Sequence, residues 1–64
     1  MNPPVKVGDK LRVVIDALGV KGDGVAHINR FALIVKYPGL RPEQIVNVQV
    51  LRVLKRFAIC ELTV

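Results

Sequence analysis

Apolar residues recur at every second position over much of this chain, and a period of two suits a pleated strand with one buried face. Leu11, Val13, Ile15 and Ala17 alternate with Arg12, Val14, Asp16 and Leu18, and the former set is expected to face inward. Near the other end Ala58, Cys60, Leu62 and Val64 alternate with Phe57, Ile59, Glu61 and Thr63. The second set there should face solvent, because Glu61 is a costly residue to bury. Twelve Val, five Ile and one Thr among 64 residues supply the β-branched side chains that pack well on pleats.

The alternation is broken at places that read as turns. Gly19-Val20-Lys21-Gly22-Asp23-Gly24 holds three glycines in six residues, so it is a loop with a turn signal at Asp23-Gly24. A short strand follows over residues 25–28, and Asn29-Arg30 closes a tight hairpin, since Asn tolerates the left-handed conformation. Residues 31–36 form the next strand and 37–42 a second loop. Residues 45–54 carry two patterns: Ile45, Val48, Leu51 and Leu54 recur every third position, and Pro42 could open a helix, whereas Val46, Val48 and Val50 alternate with Asn47 and Gln49. The weight of Val and Ile favours a strand, and the change of parity between Val50 and Leu51 fits a β-bulge. Lys55-Arg56 is then a turn into the last strand. The expected fold class is all-β, a small five-stranded antiparallel barrel, whose closure removes exposed sheet edges. Residues 1–64 make one domain, with 1–6 as a loose N-terminal arm.

A chain this short buries only about 60% of its unfolded surface, which leaves little room for an enzyme cleft and argues for a binding module. Ten Lys or Arg against five Asp or Glu give a net charge of +5. That charge is concentrated: Arg30, Lys36, Arg41, Arg52, Lys55 and Arg56 face the single acid Glu43 between residues 30 and 56, a net +5, while the cations and acids elsewhere cancel. Such asymmetry is the footprint of a polyanion binder, or else of a surface kept soluble by like charge. A lone cysteine forms no internal disulfide, Met1-Asn2-Pro3-Pro4 lacks a signal peptide's apolar stretch, and no run has the length of a membrane span. The expected location is cytoplasmic, with no membrane partner.

Catalytic chemistry finds little to work with. Serine is absent, and Cys60, Thr63 and Tyr37 are the only hydroxyl or thiol candidates beside the sole imidazole, His27. Cys60 has the inward parity of the last strand and reads as a small core residue rather than a nucleophile. One His and one Cys do not make a structural zinc site, and against Asp16 and Asp23 as an acid pair stands the placing of Asp16 on a strand and of Asp23 in a turn where Asp is common for local reasons. The glycine run matches no nucleotide-binding spacing and leads into a strand, so no helix N-terminus is there to hold a pyrophosphate. The chain is expected to be no enzyme and to take no cofactor, metal or small-molecule substrate.

Gly19-Val20-Lys21-Gly22-Asp23-Gly24-Val25-Ala26-His27-Ile28, followed by Phe31-Ala32-Leu33-Ile34-Val35, the pair Pro38-Gly39 and Arg56-Phe57-Ala58, resembles the TRAM domain family over residues 7 to 62. The resemblance implies an OB-like barrel that binds RNA without catalysis. Such domains usually end larger tRNA-modifying enzymes, and stand-alone copies are mostly archaeal. Family members often carry Pro-Gly-Glu at the end of the second loop, where this chain has Arg41-Pro42-Glu43.

RNA-binding barrels combine a basic groove for phosphates with exposed aromatics for unpaired bases. The candidate RNA-binding residues are Lys21, His27, Arg30, Phe31, Lys36, Tyr37, Lys55, Arg56 and Phe57. Phe57 shares a strand face with Glu61 beside two cations, which suits a stacking platform. Phe31 carries two readings: parity puts it in the core with Leu33 and Val35, whereas its place at the strand's start beside Arg30 suits the binding surface. Tyr37 either stacks or caps the barrel. His27 points outward, solvated or touching RNA, and Lys21 sits where few side chains obstruct a phosphate. The function expected is binding of single-stranded or structured RNA, tRNA among them, with weak sequence preference, as an RNA chaperone or in tRNA- or translation-associated work. The alternatives are a protein-interaction adaptor that dimerises through apolar strand faces and a small basic chromatin-type DNA binder.

Overall fold

The computed structural model describes residues 3–64. It holds six strands: β1 (Lys10–Val14), β2 (Ala17–Leu18), β3 (Gly24–Ile28), β4 (Phe31–Val35), β5 (Ile45–Val53) and β6 (Phe57–Leu62). They form one sheet in the order β1-β5-β6-β4-β3-β2. The all-β, OB-like class expected from the sequence is what is found, with two differences in detail.

The first concerns residues 10–18, read as one strand. β1 pairs with β5, with Val14 opposite Ile45, and the Ile15 N–H then donates to the Gln44 carbonyl at 2.8 Å. One residue later the Asp16 N–H donates to the Val25 carbonyl at 2.7 Å, and Ala17 pairs with Val25 in β3. The segment thus changes partner between Ile15 and Asp16 and joins the two margins of the curled sheet. The bend also resets the parity: Leu11, Val13 and Ile15 turn inward as expected, but Ala17 is exposed together with Leu18.

The second difference is orientation. β4 and β6 run parallel, with Ala32 opposite Phe57 and Val35 opposite Cys60, whereas every other pair is antiparallel. Two successive hairpins, β3–β4 and β5–β6, therefore lie side by side with their turns at the same end. The β-bulge lies where the parity changes: Val50 pairs with Cys60 and Arg52 with Ile59, leaving Leu51 as the extra residue, exposed beside Arg52.

Ile15, Leu33, Val35, Val48, Val50 and Cys60 fill the centre and are fully buried. Leu40, from the loop between β4 and β5, plugs the barrel against Gly24, where a Cβ would lie 2.6 Å from Leu40 Cδ1 and 3.1 Å from Ile15 Cδ1. That approach explains why the strand opens on glycine. The same loop ends in a turn in which Pro42 precedes Glu43 at φ 72°, and the Gln44 N–H donates to the Arg41 carbonyl at 3.1 Å. Pro suits the second position of such a turn, and Glu43 accepts the left-handed position that glycine usually takes.

Residues 1 and 2, part of the expected loose arm, lie outside the described residues. From Val5 onward the arm belongs to the barrel: Val5 is buried, the Lys6 N–H donates to Asp9 Oδ2 at 2.8 Å, and Gly8 and Asp9 each exchange one backbone hydrogen bond with Val50. These bonds extend the β1–β5 ladder toward the N-terminus, which ties the segment down. Among the described residues no helix is long and apolar enough to cross a membrane.

Cys60 is free and buried on the inward face of β6, and burial pushes its thiol pKa up. Since the folded state ionises later than the unfolded chain, the thiol's contribution is complete below the unfolded thiol's pKa and is lost as pH rises through the folded one. Cys60→Ala should lower stability by about 1 kcal/mol through a small cavity, leave the RNA binding expected from the sequence unchanged and remove part of the alkaline loss. Melting curves across pH 7 to 10 and thiol labelling of the native protein check this; rapid labelling by a bulky reagent would put the side chain outside the core.

Candidate nucleic-acid interface

The parallel β4–β6 pair decides which basic residues meet. The β3–β4 turn, Asn29-Arg30, is set by Asn29 in the left-handed conformation at φ 57°. The β5–β6 turn is closed by the Leu54 N–H donating to the Phe57 carbonyl at 2.8 Å, which lifts Lys55 and Arg56 outward. Because Ala32 lies opposite Phe57, the two turns flank one groove of about 500 Å³, lined by Pro3, Pro4, Ile28, Asn29, Arg30, Phe31, Lys55 and Arg56. Arg30 and Arg56, 26 positions apart in the sequence, thus line the same groove together with Lys55.

Among the described residues no acid lines this groove. Asp9 accepts from the Lys6 backbone, Asp16 contacts His27, Asp23 pairs with Lys36, and Glu43 and Glu61 belong to the far loop and the distal half of β6. Three positive charges therefore share a concave site without internal neutralisation, which raises the local potential toward an anion.

Phe57 stands beside the groove on the outer face, 36% exposed. His27, Ala32 and Phe57 lie in one row across β3, β4 and β6, since His27 pairs with Ala32 and Ala32 with Phe57. His27 Nδ1 lies 2.9 Å from Asp16 Oδ2 across the bend, an exposed contact in which the ring N–H donates. An exposed pair of this kind adds little stability but fixes the direction of the ring. The half-buried Val25, Ile34 and Ile59 continue the surface beyond that row.

Phe31 is 9% exposed, so the inward parity prevails and the ring is not an open stacking platform. It nevertheless lines the groove. Lys21, Lys36 and Tyr37 are exposed, but they sit at the opposite end of β4, beside the glycine loop; six residues at about 3.3 Å each put Lys36 roughly 20 Å from Arg30. There Lys36 Nζ is 3.3 Å from Asp23 Oδ2. The nine candidates thus divide into Arg30, Phe31, Lys55, Arg56 and Phe57 at one end, Lys21, Lys36 and Tyr37 at the other, and His27 on the face near the first group. Sequence reasoning passed over Pro3, Pro4, Ile28 and Asn29, which line the groove. Asn29 was legible as a turn residue adjoining Arg30; nothing in the sequence connects Pro3 and Pro4 to a turn 50 positions away.

The family model for the TRAM domain matches residues 4–63. A ribosomal RNA large subunit methyltransferase E of Natronomonas pharaonis is 41% identical over 61 residues, covering 95% of this chain; the chain spans only 23% of that enzyme. An uncharacterized protein of Methanocaldococcus jannaschii is 37% identical over 60 residues, which is 94% of this chain and 75% of that protein. A solution structure of a conserved protein from Methanococcus maripaludis superposes with a TM-score of 0.84 at 35% identity, covering 98% of this chain and 87% of the other.

Proposed function

We propose, since this chain belongs to the TRAM domain family, that it holds unpaired RNA at the end of the barrel where Arg30, Lys55 and Arg56 converge, with Phe57 as a stacking platform. The family's domain is a non-catalytic RNA-binding module, and a general RNA-binding role comes with membership. The observation that carries the finer reading is the acid-free groove with three cations beside an exposed aromatic ring. Cations supply sequence-independent contact with phosphates, and a ring accepts any base on its face. Weak sequence preference follows from that pairing of features.

The role that suits such a site is RNA chaperoning, or support of tRNA or translation, in the cytoplasm. A binder without a site for nucleotide hydrolysis acts by mass action: it favours strands that are open and shifts folding equilibria by its differential affinity. The decisive measurement is titration of a labelled unstructured RNA at several salt concentrations. Three groove cations on phosphates predict a slope of log K against log salt of about −2, and engagement of Lys21 and Lys36 as well takes it to about −3.5, at 0.7 per contact on a single strand. Affinity that stays flat between low and physiological salt removes the reading.

A further inference from the structure

We propose that the groove between the two turns is a subsite for one nucleotide turned out of the bound strand: its base rests against Ile28 and the edge of Phe31, the Asn29 amide reads the base edge, and Arg30, Lys55 and Arg56 hold the adjoining phosphates. The inference rests on the RNA-binding reading and assigns a second feature, separate from the stacking surface at Phe57.

Size and composition carry it. A groove of about 500 Å³ falls within the range of small-molecule sites, roughly 300 to 1,000 Å³, and exceeds what a phosphate alone requires. Its lining is divided by chemistry: Pro3, Pro4, Ile28 and Phe31 give an apolar half, and Arg30, Lys55 and Arg56 a cationic half, with Asn29 among them. A ligand that satisfies both halves has a flat, weakly hydrated body joined to an anion. An unstacked nucleotide has that form, whereas a duplex keeps its bases away from such a wall.

Phe57 is not among the lining residues, although it directly follows Arg56. A base stacked on Phe57 and a base lodged in the groove therefore occupy different places, and a strand passing from one to the other crosses the Lys55-Arg56 turn. Asn29 is the groove's one side chain with both a donor and an acceptor in the same plane, the arrangement that pairs with a base edge. Among the described residues its amide makes no hydrogen bond within the protein. Asn at a left-handed turn position needs no ligand to justify it, since the conformation alone favours it. Glycine tolerates the same φ, so Asn29→Gly removes the amide and keeps the turn.

The test is an NMR titration of the whole chain with adenosine 5′-monophosphate, adenosine and inorganic phosphate in parallel. Adenosine 5′-monophosphate is expected to shift the backbone amides of residues 28–31 and 55–56 saturably, with adenosine and phosphate each at least about tenfold weaker, because each satisfies half of the lining. An unstructured RNA oligomer should displace the mononucleotide. Asn29→Gly should weaken the mononucleotide about fivefold or more while leaving phosphate binding and the melting temperature unchanged. Phosphate that binds as well as the mononucleotide, or an Asn29→Gly variant with unaltered affinity, overturns the proposal, as does a mononucleotide that the oligomer fails to displace. If the oligomer binds with salt dependence while the mononucleotide leaves the groove untouched, the subsite is lost and RNA binding stands; if the oligomer does not bind either, both are lost.

Discussion

Phe31→Ala is expected to unfold most of the protein, and Phe57→Ala to leave it folded with weakened RNA binding. Removing a buried Phe ring costs about 3 to 5 kcal/mol, and a domain of this size has a total stability of only about 3 to 10 kcal/mol at the usual value per residue. Phe31 is 9% exposed at the start of β4, where its loss would hollow the end of the barrel beneath the groove. Phe57, 36% exposed, gives up far less packing. Its truncation should lower RNA affinity about tenfold, equivalent to roughly 1.4 kcal/mol and within the range of one base–aromatic stack. Changing Arg56 in the same molecule should deepen the loss, since its guanidinium reaches the same nucleotide. Thermal melts paired with RNA titrations separate the two. A Phe57→Ala protein that binds RNA as before would leave the surface without its aromatic element.

The second large effect is electrostatic. Replacing Arg30, Lys55 and Arg56 together by Ala should reduce RNA affinity by about two orders of magnitude, at roughly 1 kcal/mol for each charged contact, and flatten the salt slope by about 2. Stability should hold or rise slightly, since three like charges with no acid among them are being removed. The matched control is Lys21→Ala with Lys36→Ala, which removes charge at the distant end and frees Asp23 from its 3.3 Å contact. If the strand is held at the groove, the triple variant loses far more affinity than the double. Equal losses per charge would mean that net charge alone draws the RNA and that the convergence of the turns has no part in binding.

How far the sequence foretold these features depends on how local each one is. Strand parity as far as Leu62, the Asn29-Arg30 hairpin and the bulge after Val50 were legible, because each depends on neighbouring residues and on a period of two; Val64, expected inward, lies past the end of β6 and is fully exposed. Ala17 was misplaced because the bend before Asp16 follows from a change of pairing partner, from β5 to β3, that no neighbouring residue announces. The parallel pairing was equally hidden, since both hairpins look the same in sequence whichever way they lie against each other. That one fact divides the basic residues. Arg30 and Lys36 are six positions apart on the chain yet stand at opposite ends of β4, while Arg30 and Lys55 share a groove. The sequence could count the charges between residues 30 and 56 but not sort them by end. Asp23 reads as a turn residue and turns out also to pair with Lys36. Phe31 was the reverse case: its two readings were both visible, and the burial of the ring decided between them.

The β4–β6 pair also bears on how the molecule comes into being. It joins Ala32 to Phe57, 25 positions along the chain, and the β1–β5 pair joins residues farther apart still. Barrels dominated by such distant pairings fold in milliseconds to seconds, because the entropy of closing long loops is spent before the contacts form. The β3–β4 hairpin can form early and carry Arg30, yet the groove is absent until the second hairpin docks beside it. Only the finished barrel, then, is able to select RNA in the way proposed. A ligand that recognises one state alone stabilises it by mass action: RNA present at about a hundred times its dissociation constant should add about 2.7 kcal/mol to the folded state and slow the separation of the two hairpins, so that the RNA completes the closure of the protein that holds it.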